Sequence, residues 1–147
     1  MRSEGTLDVA APRERVFELF ADPRRVSECA PDVQELTVLD PQHFRMKVRA
    51  GVGAVKGVFG CEVRYTEVVP AERIVASVRG EGAGSRVDLV STLELSSDGA
   101  DRTTVRWVAE VTLSGLLAAV GSRFVNAAAE RMTREVFDCV KARLEPR

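Results

Sequence analysis

The chain has 147 residues, of which 45% are hydrophobic, and its 21 basic and 22 acidic side chains give a formal net charge of −1. This length and composition suit a single domain, residues 1–147, with a substantial core. The near-neutral charge excludes a strong field that would attract nucleic acid, so we expect no nucleic-acid partner.

The cysteines and the N-terminus bear on location. Cys29, Cys61 and Cys139 lie far apart and lack the close spacing of a zinc site or a redox motif. They predict reduced thiols that pack as small apolar side chains in a cytoplasmic protein. The N-terminus has no apolar run typical of an export signal, and nowhere do about 18 apolar residues follow one another as a membrane span requires.

The first third of the chain predicts a strand followed by two short helices. TLDVAAP alternates apolar and polar side chains, as a strand does, and Pro12 then stands where a helix can begin. Asp22-Pro23 ends this helix and starts a second one from Arg24 to Cys29. The first helix is indicated by an apolar stripe at helical spacing: Val16, Leu19 and Phe20.

From about Val33 the apolar period changes to two, which predicts strands with one wet face. A short strand from Arg73 to Arg79 and turns at Pro70-Ala71 and Asp98-Gly99 complete an antiparallel meander. The alternating inward positions are Phe44, Met46, Val48 and Ala50; Phe59, Cys61, Val63 and Tyr65; Val87, Leu89, Ser91, Leu93 and Leu95; and Val105, Trp107, Ala109, Val111 and Leu113.

After Gly115 the helical period returns for about 28 residues and predicts one long terminal helix. The fold class is therefore α+β, with a curved antiparallel sheet of about six to seven strands wrapped around that helix. Its sheet-facing stripe is Leu117, Val120, Phe124, Ala128, Met132, Val136 and Val140.

The stretch GVGAVKGVFG, residues 51–60, is not a phosphate-binding loop. Lys56 precedes Gly57, no hydroxyl follows it, and the stretch joins two strands instead of opening a helix. A hairpin connection that uses the conformational freedom of glycine is the simpler interpretation. The alternative is an apolar lip at a cavity mouth or a docking loop, formed by Val52 and Val55 with Lys56 beside them.

No catalytic or metal-binding constellation emerges from the sequence. The single histidine, His43, has no nucleophile at a fixed spacing, and we interpret it as a surface residue. The carboxylates of Asp88, Glu94 and Glu110 fall on the polar phase of their strands and predict a solvated face. We expect a binding protein without catalytic residues, metal or cofactor.

Large apolar side chains converge between the sheet and the terminal helix, where Ala127, Ala128 and Ala129 leave either close packing or a void. From the residues alone, plain core is the commoner explanation of such a set, and a ligand cavity is the alternative. The candidate lining is Phe44, Met46, Phe59, Val63, Tyr65, Val87, Leu89, Trp107, Phe124, Ala128 and Met132.

The segments VAAPRERVFELFADPRRVSECAP, GVGAVKGVF and SGLLAAVGSRFVNAAAERM carry a family resemblance that covers essentially the whole chain. The sequence resembles the CoxG family of carbon monoxide dehydrogenase subunits, within the START-like, helix-grip (SRPBCC) superfamily. This resemblance implies a hydrophobic cavity and a role beside molybdenum hydroxylases of the carbon monoxide dehydrogenase type. It also implies recruitment to the inner face of the membrane or handling of a lipid or quinone.

With the cavity implied by the resemblance, Tyr65 and Trp107 become the side chains best suited to orient a polar head, because each joins a large apolar body to one hydrogen-bonding group. Three functions follow. The preferred one is a non-enzymatic carrier or accessory protein for an apolar molecule. The others are an enzyme of the polyketide cyclase or aromatase kind, for which the inward phase offers little beyond Ser91 and Tyr65, and an assembly factor with a filled core.

Overall fold

The computed structural model describes residues 1–146 and contains one antiparallel sheet with helices on one face. The α+β prediction is confirmed, and the sheet has seven strands. The elements in chain order are β1 (Arg2–Val9), α1 (Arg13–Ala21), α2 (Pro23–Cys29), β2 (Val33–Asp40), β3 (His43–Val52), β4 (Val55–Val69), β5 (Arg73–Gly82), β6 (Ser85–Ser97), β7 (Thr103–Gly115), α3 (Leu116–Val120) and α4 (Ser122–Leu144).

The strand order is β1-β7-β6-β5-β4-β3-β2, so the strands from β2 to β7 form the predicted meander and β1 joins its far edge beside β7. Short turns connect the meander strands, and several of their residues have a positive φ. Ala71 at φ 60° and Gly99 at φ 92° lie in the two turns that the sequence predicted. In a left-handed conformation glycine costs little, whereas Ala71 bears a steric penalty.

The helix pair after β1 forms as predicted. The carbonyl of Pro12 accepts hydrogen bonds from Arg15 N and Val16 N, which starts α1. The carboxylate of Asp22 accepts from Arg24 N at 2.9 Å and caps α2, whose first residue is Pro23. A side chain at the N-cap satisfies amide groups that the helix itself leaves unpaired.

The predicted terminal helix is interrupted, which corrects the expectation of one continuous helix after Gly115. Gly121 has φ 104° and ψ 144°, outside the helical region, and separates the short α3 from the 23-residue α4. Within α4 a spacing of four residues drifts by about 40° per step, so the buried and half-buried stripe runs through Val125, Ala129 and Thr133 as well as Ala128 and Met132. Phe124 lies outside that stripe and is 56% exposed.

Two of the three cysteines are not reduced thiols, which corrects the sequence-based expectation. Cys29 at the end of α2 and Cys139 in α4 form a disulfide with their Cα atoms 5.5 Å apart, although 110 residues separate them in sequence. Cys61 remains a free thiol. Spacing along the chain cannot reveal such a pair, because the fold alone brings the two helices together. No helix within residues 1–146 has the length and apolar character to span a membrane.

Candidate functional site

The face of the sheet that carries the helices, here called the inner face, consists of cross-strand rows. One row contains Val111 of β7, Leu89 of β6 and Val78 of β5, and continues through Val63 to Phe44. The predicted inward positions of the four long strands share this face, so the period-two interpretation of β3, β4, β6 and β7 is confirmed. Antiparallel register places these apolar side chains in contact distance of their cross-strand neighbours.

One part of the inner face is a filled core beneath α1, α2 and the C-terminal half of α4. Val105, Val140 and Leu144 are buried there, and Trp107 meets Phe137 edge to face with ring centroids 5.7 Å apart. A second, smaller cluster surrounds Phe44, Val63 and Ala76.

The other part of the inner face, nearer α3, is partly exposed to solvent. Val87 and Leu89 of β6 and Val111 and Leu113 of β7 lie there. These four aliphatic side chains belong to neither core cluster, and each keeps part of its surface accessible to water. Such surface is costly to hydrate, so this region favours an apolar occupant. We call it the inner basin, and define it by Val87 and Leu89 of β6 and Val111 and Leu113 of β7.

Small side chains separate the inner basin from the filled core. Ser91 of β6 pairs with Ala109 of β7 on one side and Ala76 of β5 on the other. Along β6, the neighbouring inward positions on either side of Ser91 carry larger side chains, Leu89 toward the basin and Leu93 toward the filled core. Ser91 is half-buried and places a hydroxyl at the border of the basin.

The structure distributes the predicted lining residues over three environments. The lining residues in the filled core and the second cluster pack against one another. The ring centroids of Phe44 and Tyr65, for example, lie 6.1 Å apart. The exposed Phe124 is separate from both core clusters. Phe44, Phe59, Val63 and Ala128 are buried; Met46, Tyr65, Val87, Leu89, Trp107 and Met132 are half-buried; and Phe124 is exposed.

Tyr65 and Trp107 are held by the chain itself. The Tyr65 hydroxyl donates a hydrogen bond to the backbone carbonyl of Phe20 at 2.8 Å. Burial, with a smaller contribution from the Asp22 carboxylate, raises the pKa of Tyr65 well above its usual value, so the phenol stays neutral. The Trp107 ring covers Gly5, where a Cβ would come within 2.9 Å of it. Neither side chain is therefore free to turn toward a ligand without losing these contacts.

Three segments meet at the end of the sheet beside the basin: the turn from β3 to β4, the turn from β5 to β6, and α3. A Cβ placed on Gly53 would lie 3.4 Å from Val120, and one on Gly84 would lie 3.1 Å from Leu116. The Ser85 hydroxyl accepts a hydrogen bond from Leu117 N at 3.0 Å, which ties α3 to β6. We call this region the turn end.

The turn end exposes apolar side chains. Val52 and Val55 are half-buried and Lys56 is exposed, and their role as a cavity lip stays a prediction. Leu116 is 57% exposed, and Phe124 follows it at the start of α4. Sequence reasoning missed Leu116, although a leucine next to Gly115 in a segment closed by Gly121 was a signal for an exposed apolar turn.

The outer face of the sheet is charged. His43 is not the surface residue expected, because its side chain is 13% exposed and lies 3.3 Å from the Glu62 carboxylate. Although desolvation acts in the opposite direction, a hydrogen bond from Arg64 and the nearby His43 hold the pKa of Glu62 below its usual value. Within residues 1–146 no group of three or more acidic, histidine or cysteine side chains is arranged to hold a metal ion.

A shallow depression of about 520 Å³ also lies on the outer face, around Gly60. Its rim mixes Arg45, Lys47 and Arg79 with Glu62 and Glu81. Because opposite charges neutralise one another around it, this depression indicates no particular ligand class.

Solved structures of other proteins share the fold of this chain. A crystal structure of a conserved protein from Geobacillus kaustophilus is 20% identical with a TM-score of 0.91, over 97% of this chain and 94% of that one. A START superfamily protein from Mycobacterium smegmatis is 18% identical with a TM-score of 0.73, over 98% and 97% of the two chains. The Zhui aromatase/cyclase from Streptomyces sp. R1128 is 16% identical with a TM-score of 0.71, over 97% and 92%.

Among curated proteins no sequence relative matches. The profile of the CoxG family of carbon monoxide dehydrogenase subunits matches residues 5–145, nearly the whole chain. The chain therefore belongs to the carbon monoxide dehydrogenase CoxG family and has a START-like fold.

Proposed function

We propose that this protein is a non-enzymatic carrier or accessory protein that binds one apolar molecule, a lipid or a quinone, in the inner basin. The observation that carries the proposal is the partial exposure of four neighbouring aliphatic side chains on a face whose other part is buried: Val87, Leu89, Val111 and Leu113. An apolar ligand would remove these side chains from water, and Ser91 at the border could meet one polar group of it.

The partner in this proposal is a molybdenum hydroxylase of the carbon monoxide dehydrogenase type, as the family name suggests. The turn end is the surface we assign to docking on that enzyme or on the inner face of the membrane. Leu116 and Phe124 supply apolar contact, and Lys56 and Arg123 supply positive charge. Attraction of these cations to an acidic surface would weaken as salt is added. A cytoplasmic location belongs to the same proposal.

An enzyme of the aromatase/cyclase kind is the second candidate, because Zhui shares this fold. Such an enzyme must hold and deprotonate a polyketone with polar groups in its cavity. The inner face supports this candidate weakly, since its polar groups include Ser91, the already bonded Tyr65 hydroxyl and Cys61, whose thiol pKa is raised by burial.

Native mass spectrometry of the purified full chain tests the carrier proposal. We expect a retained apolar molecule to appear as added mass and to disappear when the basin is filled by Val111→Trp. The same protein is mixed with a carbon monoxide dehydrogenase-type hydroxylase and analysed by size-exclusion chromatography. Protein that never carries added mass and takes up no apolar dye would support the filled-core assembly factor, and cyclisation of a polyketone would support the enzyme.

A further inference from the structure

The disulfide connects the last residue of α2 to the C-terminal part of α4. Cys29 ends α2, and Cys139 lies five residues before Leu144, where α4 ends. The bond therefore joins the helix pair near the N-terminus to the helix that covers the inner face.

Several weaker contacts hold the same end of α4. Val140 and Leu144 are buried against the core. The Arg143 guanidinium pairs with the carboxylate of Glu28, next to Cys29, and the carboxylate of Glu145 accepts a hydrogen bond from Ala10 N at 2.9 Å. Exposed ion pairs and single hydrogen bonds contribute little individually. The disulfide is the covalent tie between α4 and the helix pair.

The N-terminal half of α4 is held much less firmly. Ala128 is the one buried residue in this half, and Phe124 projects into solvent. Two glycines with positive φ flank α3: Gly115 at φ 76° and Gly121 at φ 104°. Such positions can absorb backbone rotation when an element moves. Thus α4 is fastened at its C-terminal end, and the end that follows α3 buries few of its side chains.

We propose that the Cys29–Cys139 disulfide is a redox-sensitive clamp: when oxidised it holds α4 against α2, and its reduction by a dithiol loosens α4 and speeds exchange of an apolar ligand. The part concerning ligand exchange rests on the proposed function, whereas the part concerning α4 does not. The proposed function places the chain in the cytoplasm, and disulfides in such a reducing compartment are usually transient and catalytic or redox-sensing.

Reduction of the disulfide by a dithiol proceeds through two thiol–disulfide exchange steps. Cys29 is 4% exposed and Cys139 is half-buried, so a thiolate of the dithiol reaches Sγ of Cys139 more readily. Its attack breaks the S–S bond, and Cys29 leaves as a thiolate and takes up a proton. The second thiol of the reductant then attacks the mixed disulfide and releases Cys139, which is protonated in turn. Two electrons and two protons pass to the pair, and the dithiol becomes a disulfide.

Hydrogen exchange of the full chain, oxidised and reduced with dithiothreitol, tests the clamp. We expect exchange of the amides in α2 and residues 136–144 to rise about tenfold or more on reduction, because local opening becomes easier. A Cys29→Ala, Cys139→Ala double variant should exchange like the reduced protein without any reductant. Cys61→Ser is the matched control and should respond as the unmodified chain does. If the double variant fails to fold, the oxidised and reduced forms of the unmodified chain still give the comparison.

Equal exchange before and after reduction would overturn the clamp. So would a pair that stays oxidised in a dithiothreitol redox series spanning the cytosolic range. A second readout is the dissociation rate of the apolar dye 1-N-phenylnaphthylamine, which should rise on reduction in the unmodified chain and in Cys61→Ser. If the dye binds neither form, the proposed function fails while the exchange result still decides the clamp. If it leaves both forms at one rate, the coupling to ligand is wrong.

Discussion

The hydroxyl of Tyr65 in β4 donates a hydrogen bond of 2.8 Å to the backbone carbonyl of Phe20 in α1, across 45 residues of sequence. This bond joins the meander to the helix pair at the boundary of the two core clusters, since Tyr65 packs against both. The side chain that the sequence predicts as a contact for a polar ligand group thus serves as a tie between sheet and helix.

Tyr65→Phe should destabilise the protein and leave dye binding unchanged. The ring would keep its packing, but the Phe20 carbonyl would lose its donor, at a cost of about 1–2 kcal/mol in the free energy of unfolding. Urea denaturation measures the loss, and titration with 1-N-phenylnaphthylamine measures binding. Weakened binding at unchanged stability would show instead that the hydroxyl meets the ligand.

Val111→Trp should abolish dye uptake at little cost to the fold. Val111 is half-buried in the inner basin, so the larger ring has space to occupy. Val105 lies on the same face of the same strand but is 0% exposed. Val105→Trp is therefore the matched control, and overpacking there should cost about 1–3 kcal/mol or more. Equal destabilisation by the two changes, measured by urea denaturation, would mean that the basin is filled by the protein itself.

A Leu116→Ser, Phe124→Ser double variant should reduce co-sedimentation with vesicles containing anionic lipid. Both side chains are more than half exposed, so the free energy of unfolding should change by less than about 1 kcal/mol. Val58→Ser, Val90→Ser is the control, because these two valines are each 44% exposed on the outer face. Equal effects of the two pairs would exclude a specific role of the turn end.

Substitution of the half-buried Val52 and Val55 tests the lip interpretation separately. Val52→Ser, Val55→Ser is expected to weaken vesicle binding or dye uptake without changing the sheet. If vesicle binding, dye uptake and hydroxylase binding all stay unchanged, the β3–β4 turn is a hairpin connection only.

Glu62→Gln should make the free energy of unfolding less dependent on pH in the acidic range. The contacts from Arg64 and His43 hold the pKa of Glu62 below its ordinary value of 4.5, so ionised Glu62 favours the folded state above that value. The stabilisation is lost as the pH falls through the lowered pKa, because Glu62 is then protonated in both the folded and the unfolded state. Urea midpoints of the two proteins measured from neutral pH downward should therefore converge below pH 4.5. Midpoints that keep a constant difference would contradict the assignment.

Local patterns in the sequence determined most of the architecture. The period-two runs of β3, β4, β6 and β7 and the Pro12 and Asp22-Pro23 helix boundaries depend on near neighbours, so they are readable without a structure. The same applies to the turn between β3 and β4, whose glycines predicted its position.

Only the tertiary structure decided which distant residues meet. Cys29 and Cys139 pair because α2 and α4 pack together, and the Tyr65 hydroxyl finds the Phe20 carbonyl because the sheet brings β4 beneath α1. Phe124 fits a spacing of four residues in the sequence, but in the first turn of α4 it lies outside the buried stripe. Likewise, Val105 and Val111 have the same pattern in sequence, but one is sealed by the helices and the other is half-open. Helix placement over a sheet depends on long-range packing, which a local period does not encode.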